Sequence, residues 1–184
     1  KQGIENTNYL LRSKNKKFIL TIFEKRVSKK DIPFFMKLMD QLSNLNINCP
    51  KPLKNNRGNY LIKVKNKICC VVTFLDGKDK KKLNLKNCFD IGKTIAQIHL
   101  STKKLKLYRK NSMGIKNLNP LLNSIKFKSQ KFSNLEKFLK NNFKDIKDKW
   151  PKKLPNGIIH GDLFIDNIFF KGNKLSGIID FYFA

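Results

Sequence analysis

The spacing of apolar residues changes along the chain, and each change predicts a different element. NYLLRS (residues 8–13) and KFILTIF (17–23) are β-rich runs on either side of Lys14-Asn15-Lys16, which predicts a hairpin. From Asp31 to about Leu45, the residues Phe35, Leu38, Leu42 and Leu45 recur at helical spacing. Pro33 falls in the first turn of that helix, where its missing N–H costs nothing. NINCPKPL (46–53) ends the helix, and NYLIKV (59–64) and KICCVVTFL (67–75) predict another pair of strands. The order strand, strand, helix, strand, strand predicts a small antiparallel sheet carrying one helix.

DGKDKKKLN (76–84) has glycine, charge and no apolar period, and is expected to be a linker. Beyond it the period turns helical. Cys88, Ile91, Ile95 and Ile98 share one helix face, and Leu135, Leu139, Phe143 and Ile146 share another between about Ser133 and Lys149. Ser133 with Glu136 reads as a capping box. Residues 101–131 carry little pattern apart from NPLLNSI (119–125), a candidate short helix. The tail returns to β character: NGIIH (156–160) as a short strand, then NIFFK (167–171) and KLSGIIDF (174–181) as a hairpin joined at Gly172-Asn173. The class is α+β. The chain does not start with Met and stops in an apolar run, so it is expected to be a piece of a longer protein, cut at both ends.

A chain of 184 residues suits one ordinary domain or two small lobes. The net charge of +27 raises the possibility of a basic nucleic-acid-binding module. The lysines, however, are spread along the whole chain, and Asn, Ile and Phe are also abundant; all four use A/T-rich codons, so genome composition accounts for the charge. The aromatic interleaving of a stacking platform is missing as well. Cys49, Cys69, Cys70 and Cys88 form no C-x-x-C pair, which argues against zinc. With no secretory signal at the start of this sequence, free buried thiols in a cytoplasmic protein are the expectation. No apolar run approaches the roughly 18 to 20 residues of a membrane helix.

The chemistry concentrates in IIHGDLFIDN (158–167). His160-x-Asp162 is followed after four residues by Asn167, and thirteen positions on by Asp180. Kinase catalytic loops have this layout: an aspartate for the acceptor hydroxyl, then an asparagine and a later aspartate for magnesium. Phosphoryl transfer needs a carboxylate aligned with the attacking oxygen and oxygen ligands for hard cations. A loop seated between a strand and a hairpin is expected to bring Asp162, Asn167 and Asp180 to one point. His160 is expected to support the loop, and Asp166 falls outside the pattern. His99, on the apolar side of its helix, reads as a packed histidine, and Trp150 as an anchor for a helix end.

GIIHGDLFIDNIFF (157–170) and SGIIDFYFA (176–184) resemble the homoserine kinases built on the aminoglycoside phosphotransferase and choline kinase fold. The similarity extends to GIENTNYLL (3–11), FILTIFEK (18–25), PFFMKLMDQL (33–42), NCPKP (48–52) and VVTFLDG (71–77). The resemblance implies a protein-kinase-like two-lobed fold, with a nucleotide-binding lobe over 1–76 lacking its first strand. A mainly helical catalytic lobe would follow from 77 to 184, lacking its C-terminal part. It implies Asp162 as catalytic base, Asn167 and Asp180 on Mg²⁺, and ATP as phosphoryl donor. Gly3, Asn6, Thr7 and Asn8 would form the loop over the phosphates, and Thr73, Phe74 and Leu75 the adenine-contacting hinge. The catalytic loop is common to the superfamily, whereas ENTNY and IDFYFA point to homoserine kinase and so to threonine biosynthesis. Choline, ethanolamine, an amino sugar or an aminoglycoside are the alternative acceptors, the first needing an aromatic or acidic cage.

The chain departs from the kinase pattern in two places. The usual third-strand lysine is replaced by Thr21, with Lys25 and Arg26 nearby, and the helix offers Asp31 and Asp40 rather than a glutamate. After Asp180 comes Phe181-Tyr182, not Phe-Gly, which excludes a protein kinase. A pseudokinase is the reading that Thr21 motivates.

Overall fold

The computed structural model describes residues 6–24, 27–125 and 133–184, with the side chain of Ser133 left aside. These residues pack as two compact units, one up to Tyr108 together with Gly157–Ala184, the other Arg109–Asn156.

In the first unit the predicted strands form one antiparallel sheet: β1 (Thr7–Ser13), β2 (Lys16–Ile22), β3 (Leu61–Val64) and β4 (Lys67–Thr73), in the spatial order β1-β2-β4-β3. Lys65 and Asn66 both have positive φ, the geometry of the tight turn that matches strand twist. The register sets Thr21 opposite Asn8 on one side and Cys70 on the other.

Helix α1 (Ile32–Asn44) has proline in its first turn and buries Ile32, Phe35, Met36, Leu38, Met39 and Leu42. Leu45, expected on that face, is exposed because the helix stops before it. Asn46 takes the left-handed conformation and donates to Ser43 O, while Ile47 N–H reaches back to Leu42 O. These are the two bonds of a Schellman stop, and Ile47 drops into the core behind it. That core joins α1 to Cys70 and Val72 of the sheet and to Ile178 and Phe181 of the tail.

Helix α2 (Leu85–Thr102) opens on a capping box between Asn84 and Asn87 that composition did not advertise. Asn87 therefore turns inward, with Ile91 and Ile98 buried behind it and Ile95 partly so. Cys88, expected on that face, is exposed, so buried thiols are found at Cys49, Cys69 and Cys70 alone among the four.

The tail hairpin forms as expected: strands β5 (Ile168–Lys171) and β6 (Lys174–Ile178) turn at Gly172-Asn173. Residues 156–160 are not a strand; no neighbouring strand among the described residues offers them a ladder, and Ile159 faces solvent. The segment expected to be a linker is bonded in place. Lys78 exchanges two backbone hydrogen bonds with Phe170, and Ser176 Oγ donates to Asp76 O. Gly177 is required on β6, since a Cβ there would run into Asn48 O.

The second unit holds the helices Ile115–Ser124 (α3), which contains the expected short helix, and Ser133–Asp148 (α4). On α4, Leu139 and Phe143 are partly covered, while Leu135 and Ile146 are exposed. Two i,i+4 ion pairs, Glu136–Lys140 and Asp145–Lys149, lie along it. The capping box expected at Ser133 lies outside the described side chains. Trp150 is exposed and does not anchor the helix end. No described helix is long and apolar enough to cross a membrane.

Phe35 is almost wholly enclosed and touches Phe34 and Tyr182 edge-on. Phe35→Ala in the full-length protein is expected to destabilise it by about 3–5 kcal/mol, read from urea unfolding. A loss below about 1 kcal/mol would show that α1 does not anchor this core.

Candidate active site

The loop after residue 157 is organised by His160, whose ring is buried and lies 4.6 Å from the Phe181 ring. Its Nε2 donates to Ile179 O at 2.8 Å, and its Nδ1 accepts from Asp162 N–H at 3.3 Å. A carbonyl can only accept and an amide N–H can only donate, so the pair of partners defines a neutral imidazole protonated on Nε2. Burial lowers its pKa, against the opposing pull of the Ile179 carbonyl and the Asp162 charge.

Gly161 follows at φ +80°, and a Cβ there would stand 2.8 Å from Phe183 O. The loop thus closes onto the residues after β6 with no room for a side chain. Asp162 is held through its backbone: its carbonyl accepts from Phe164 N–H at 3.0 Å and from Asn167 Nδ2 at 2.8 Å. Its carboxylate is half-buried and plays no part in those bonds.

Asn167 closes a single 3-10 turn (Ile165–Asn167) just before β5. With its amide nitrogen on Asp162 O, its side-chain oxygen is the group left to face a cation. The backbone O of Asn167 accepts from Ile179 N–H at 3.0 Å. Ile179 is therefore bonded on both sides, to the two halves of the loop, and Asp180 comes directly after it at φ +65°. Aspartate is one of the few side chains that tolerate this left-handed conformation, and isolated instances cluster at functional sites. Hydrogen bonds through Ile179 so connect Asp162, Asn167 and Asp180. Asp166 lies exposed on the turn between them.

Above this loop, the sheet residues are placed by register. Thr21 is buried and its hydroxyl donates to Asn8 Oδ1 at 2.8 Å. Tyr182 lies near Thr21 and Cys70, and burial raises its pKa. Burial pushes the Cys70 pKa up to about 12, so it remains a neutral S–H. Thr7 donates to Glu24 at 3.1 Å, and Glu24 also pairs with Lys67 at 2.7 Å. Asn6 is buried, and its Oδ1 has no hydrogen-bond partner among the described residues. Asp40 engages the Tyr60 hydroxyl and Asn44. Gly3, Lys25 and Arg26 lie outside the described residues.

At the end of β4, Thr73 exchanges hydrogen bonds with Lys51, and Phe74 N–H reaches Lys17 O at 3.3 Å. Leu75 continues toward β6 at Gly177. His99 does not join the loop residues through any described hydrogen bond of its ring; it lines an apolar cavity of about 250 Å³ with Ile95, Ile159 and Leu163. Two features escaped the sequence reading, the Asn84–Asn87 cap and the packing of Tyr182 on Phe23 and Phe35. The first had a signal, the spacing of asparagines ahead of an apolar period; the second depends on strand register.

Among the described residues, no group of three or more His, Cys, Asp or Glu side chains could hold a metal on its own. Asn167 and Asp180 carry side-chain oxygens, the ligand type that hard cations take together with phosphate and water.

A family model described as the phosphotransferase enzyme family (APH) matches residues 1–184. Proteins named homoserine kinase are similar over the whole chain: one from Parvibaculum lavamentivorans is 36% identical, and one from Mesorhizobium japonicum 38%. The chain spans 57% and 58% of their respective lengths. Among solved structures, the amicoumacin kinase hAmiN in complex with AMP-PNP, Ca²⁺ and Ami superposes with a TM-score of 0.80 at 18% identity. That match covers 98% of this chain and 57% of the kinase. A microcompartment-associated aminopropanol kinase gives 0.74 at 14% identity, over 98% of this chain and 62% of its own. The fold is thus the two-lobed, protein-kinase-like fold of these enzymes.

Because His160 is neutral and its pKa is lowered below 6.5 in the folded state, the unfolded chain binds the extra proton first as pH falls. Stability is therefore expected to be complete above pH 6.5 and to decline as pH drops below it. In His160→Gln, the urea midpoint should depend less on pH across that window; an unchanged slope would show that His160 is not buried neutral.

Proposed function

Because this chain belongs to the phosphotransferase enzyme family over its whole length, we propose that the full-length protein is a homoserine kinase. It transfers the γ-phosphoryl group of ATP to the side-chain hydroxyl of L-homoserine, giving O-phospho-L-homoserine on the route to threonine. The observation that carries the chemistry is the pair of hydrogen bonds at Ile179, which joins the loop of Asp162 and Asn167 to Asp180. The acceptor is supported by the homoserine kinases that are 36–39% identical across all 184 residues or nearly so. Choline, ethanolamine and aminoglycoside acceptors have support from structures of the same fold at 8–22% identity, a likeness of fold alone.

In this reading Asp162 is the catalytic base. Its backbone is fixed on both sides, which leaves the carboxylate to orient the homoserine hydroxyl and to take its proton as the oxygen attacks the γ-phosphorus in line. The new O–P bond forms as the bond from the γ-phosphorus to ADP breaks, and the proton passes from Asp162 to solvent. Asn167 and Asp180 would hold Mg²⁺, which supplies charge neutralisation on the phosphate oxygens. His160 keeps Asp162 and Ile179 in register without titrating in the reaction.

The nucleotide is assigned to Thr73, Phe74 and Leu75 at the adenine and to Gly3, Asn6, Thr7 and Asn8 over the phosphates. The buried amide oxygen of Asn6, without a hydrogen-bond partner among the described residues, supports a ligand there. The functional division is a nucleotide lobe over 1–76 and a catalytic lobe over 77–184, in a cytoplasmic enzyme with no specific nucleic-acid partner.

The test is ADP release by the full-length protein with Mg-ATP and a panel of homoserine, choline, ethanolamine and an aminoglycoside. Homoserine-dependent turnover is expected, and turnover with another member alone would replace the acceptor. Asp162→Asn should lower kcat by about 10²–10⁴-fold with the fold retained. A kcat within a few-fold of the parent would remove Asp162 from the mechanism.

A further inference from the structure

Helix α2 carries more apolar surface than the first unit covers. Its buried face uses Asn87, Ile91, Ile98 and Thr102. A second row runs along the helix at Leu85, Phe89, Gly92, Ala96 and Leu100, in steps of four, three, four and four residues, so the five share one line. All five are exposed among the described residues, Leu85 at 91%, Phe89 at 70% and Leu100 at 63%. Polar side chains are confined to a strip of Lys86, Asp90, Lys93 and Gln97, where Lys86 pairs with Asp90 at 3.1 Å. A helix that is apolar over most of its circumference packs on more than one side. Single exposed apolar residues are ordinary, but a continuous row is the mark of a contact surface.

This row adjoins the apolar cavity of about 250 Å³. Ile95, Ile98 and His99 form the α2 wall of the cavity, and Ile159, the His160 ring and Leu163 form its loop wall. Both nitrogens of the His160 ring are bonded elsewhere, to Ile179 O and Asp162 N–H, so the cavity meets it as an apolar surface. A cavity of about 150 Å³ with an aliphatic and aromatic lining holds a benzene ring, so there is room here for a large apolar side chain. The last described residues lie at the same place: a Cβ on Gly161, another lining residue, would stand 2.8 Å from Phe183 O. The chain spans 57% and 58% of the two homoserine kinases compared above and 57% of the amicoumacin kinase. About two-fifths of each relative therefore has no counterpart in these 184 residues.

We propose that the exposed row of α2 and the cavity beside the catalytic loop form one docking surface, and that its occupant is an apolar helix from the chain that follows Ala184 in the full-length protein. Steps of four, three and four residues are the seam that one helix offers another. Gly92 and Ala96, at the middle of the row, let a second helix approach closely between the larger Phe89 and Leu100. A large apolar side chain of that helix fills the cavity and completes the wall to which the His160 ring belongs. The docking holds whichever alcohol the enzyme phosphorylates, since it rests on packing and chain length.

The experiment uses the full-length protein and reads no turnover, so its result is independent of the acceptor. Phe89→p-benzoyl-L-phenylalanine keeps an aromatic ring and makes it photoreactive. After irradiation, peptide mass spectrometry is expected to find crosslinks within one chain to residues beyond Ala184. Crosslinks to residues 1–184, crosslinks to a second copy, or none at all would each overturn the assigned occupant. A second measurement needs no variant. Cys88, at the edge of the row, is exposed among the described residues. Its alkylation by iodoacetamide in the native full-length protein, followed on its own peptide, is expected to be about ten-fold or more slower than in urea. A smaller difference would leave the row open to solvent and overturn the proposal. Leu85→Asp and Leu100→Asp, neutral on an open surface, are expected to lower the urea midpoint; an unchanged midpoint in both would also overturn it.

Discussion

Ile179 uses its N–H on Asn167 and its carbonyl on His160, and the arrangement of the site depends on that pair of bonds. The residue ends the hairpin strand region and begins the segment of Asp180. Its two partners belong to the loop that precedes the hairpin. Buried backbone groups left without partners cost free energy, so the loop and the tail have few other ways to pack. His160 can serve this role only as a neutral ring, because a proton on Nδ1 would displace the Asp162 N–H that it accepts. Burial keeps it neutral, and the same burial sets it against the tilted ring of Phe181. One imidazole thereby sets the backbone of Asp162 on one side and the approach to Asp180 on the other.

The core under the sheet works in the same direction. Helix α1 supplies most of its large side chains, and the tail contributes Ile178 and Phe181 to the same cluster. Packing that forms the sheet–helix layer therefore also seats the residues flanking Asp180. Polar contacts fill the remaining side: the Asn87–Asn173 contact and Lys80, which reaches both Asn87 and Asn173, tie the start of α2 to the turn of the β5–β6 hairpin. The high net positive charge plays no visible part in this arrangement, since the described ion pairs are on the surface and pairs of that kind contribute little.

Much of this was legible in the chain. Alternation and turn residues located β1 to β4, helical period located α1, α2 and α4, and Gly172-Asn173 located the hairpin, because each signal is local. The spacing from His160 to Asp180 located the loop and the tail segment that Ile179 joins, because a loop and a hairpin lie within a short stretch. Errors arose where a cap, a helix stop or a missing strand neighbour overrides the apolar period. Cys88 shares its helix stripe with Ile91 and Ile95, but the cap at Asn84 turns Asn87 inward and leaves the thiol outside. NGIIH has strand composition but no strand beside it to pair with among the described residues. Leu45 continues the period of α1 one step past a Schellman stop.

The sequence by itself determined the order of elements and the identity of the loop residues, since periodicity, turn chemistry and spacing act within a few residues. Tertiary structure alone decided what Thr21 means. As a sequence position it is an absent lysine; in the sheet it is opposite Asn8 and Cys70 and near Tyr182, a residue 161 positions later. Strand register and the return of the chain after β6 create that meeting, and neither is encoded in any short window. Asp180 takes its left-handed conformation between Ile179, bonded to the loop, and Tyr182, packed on Phe23 and Phe35, contacts that come from different parts of the fold.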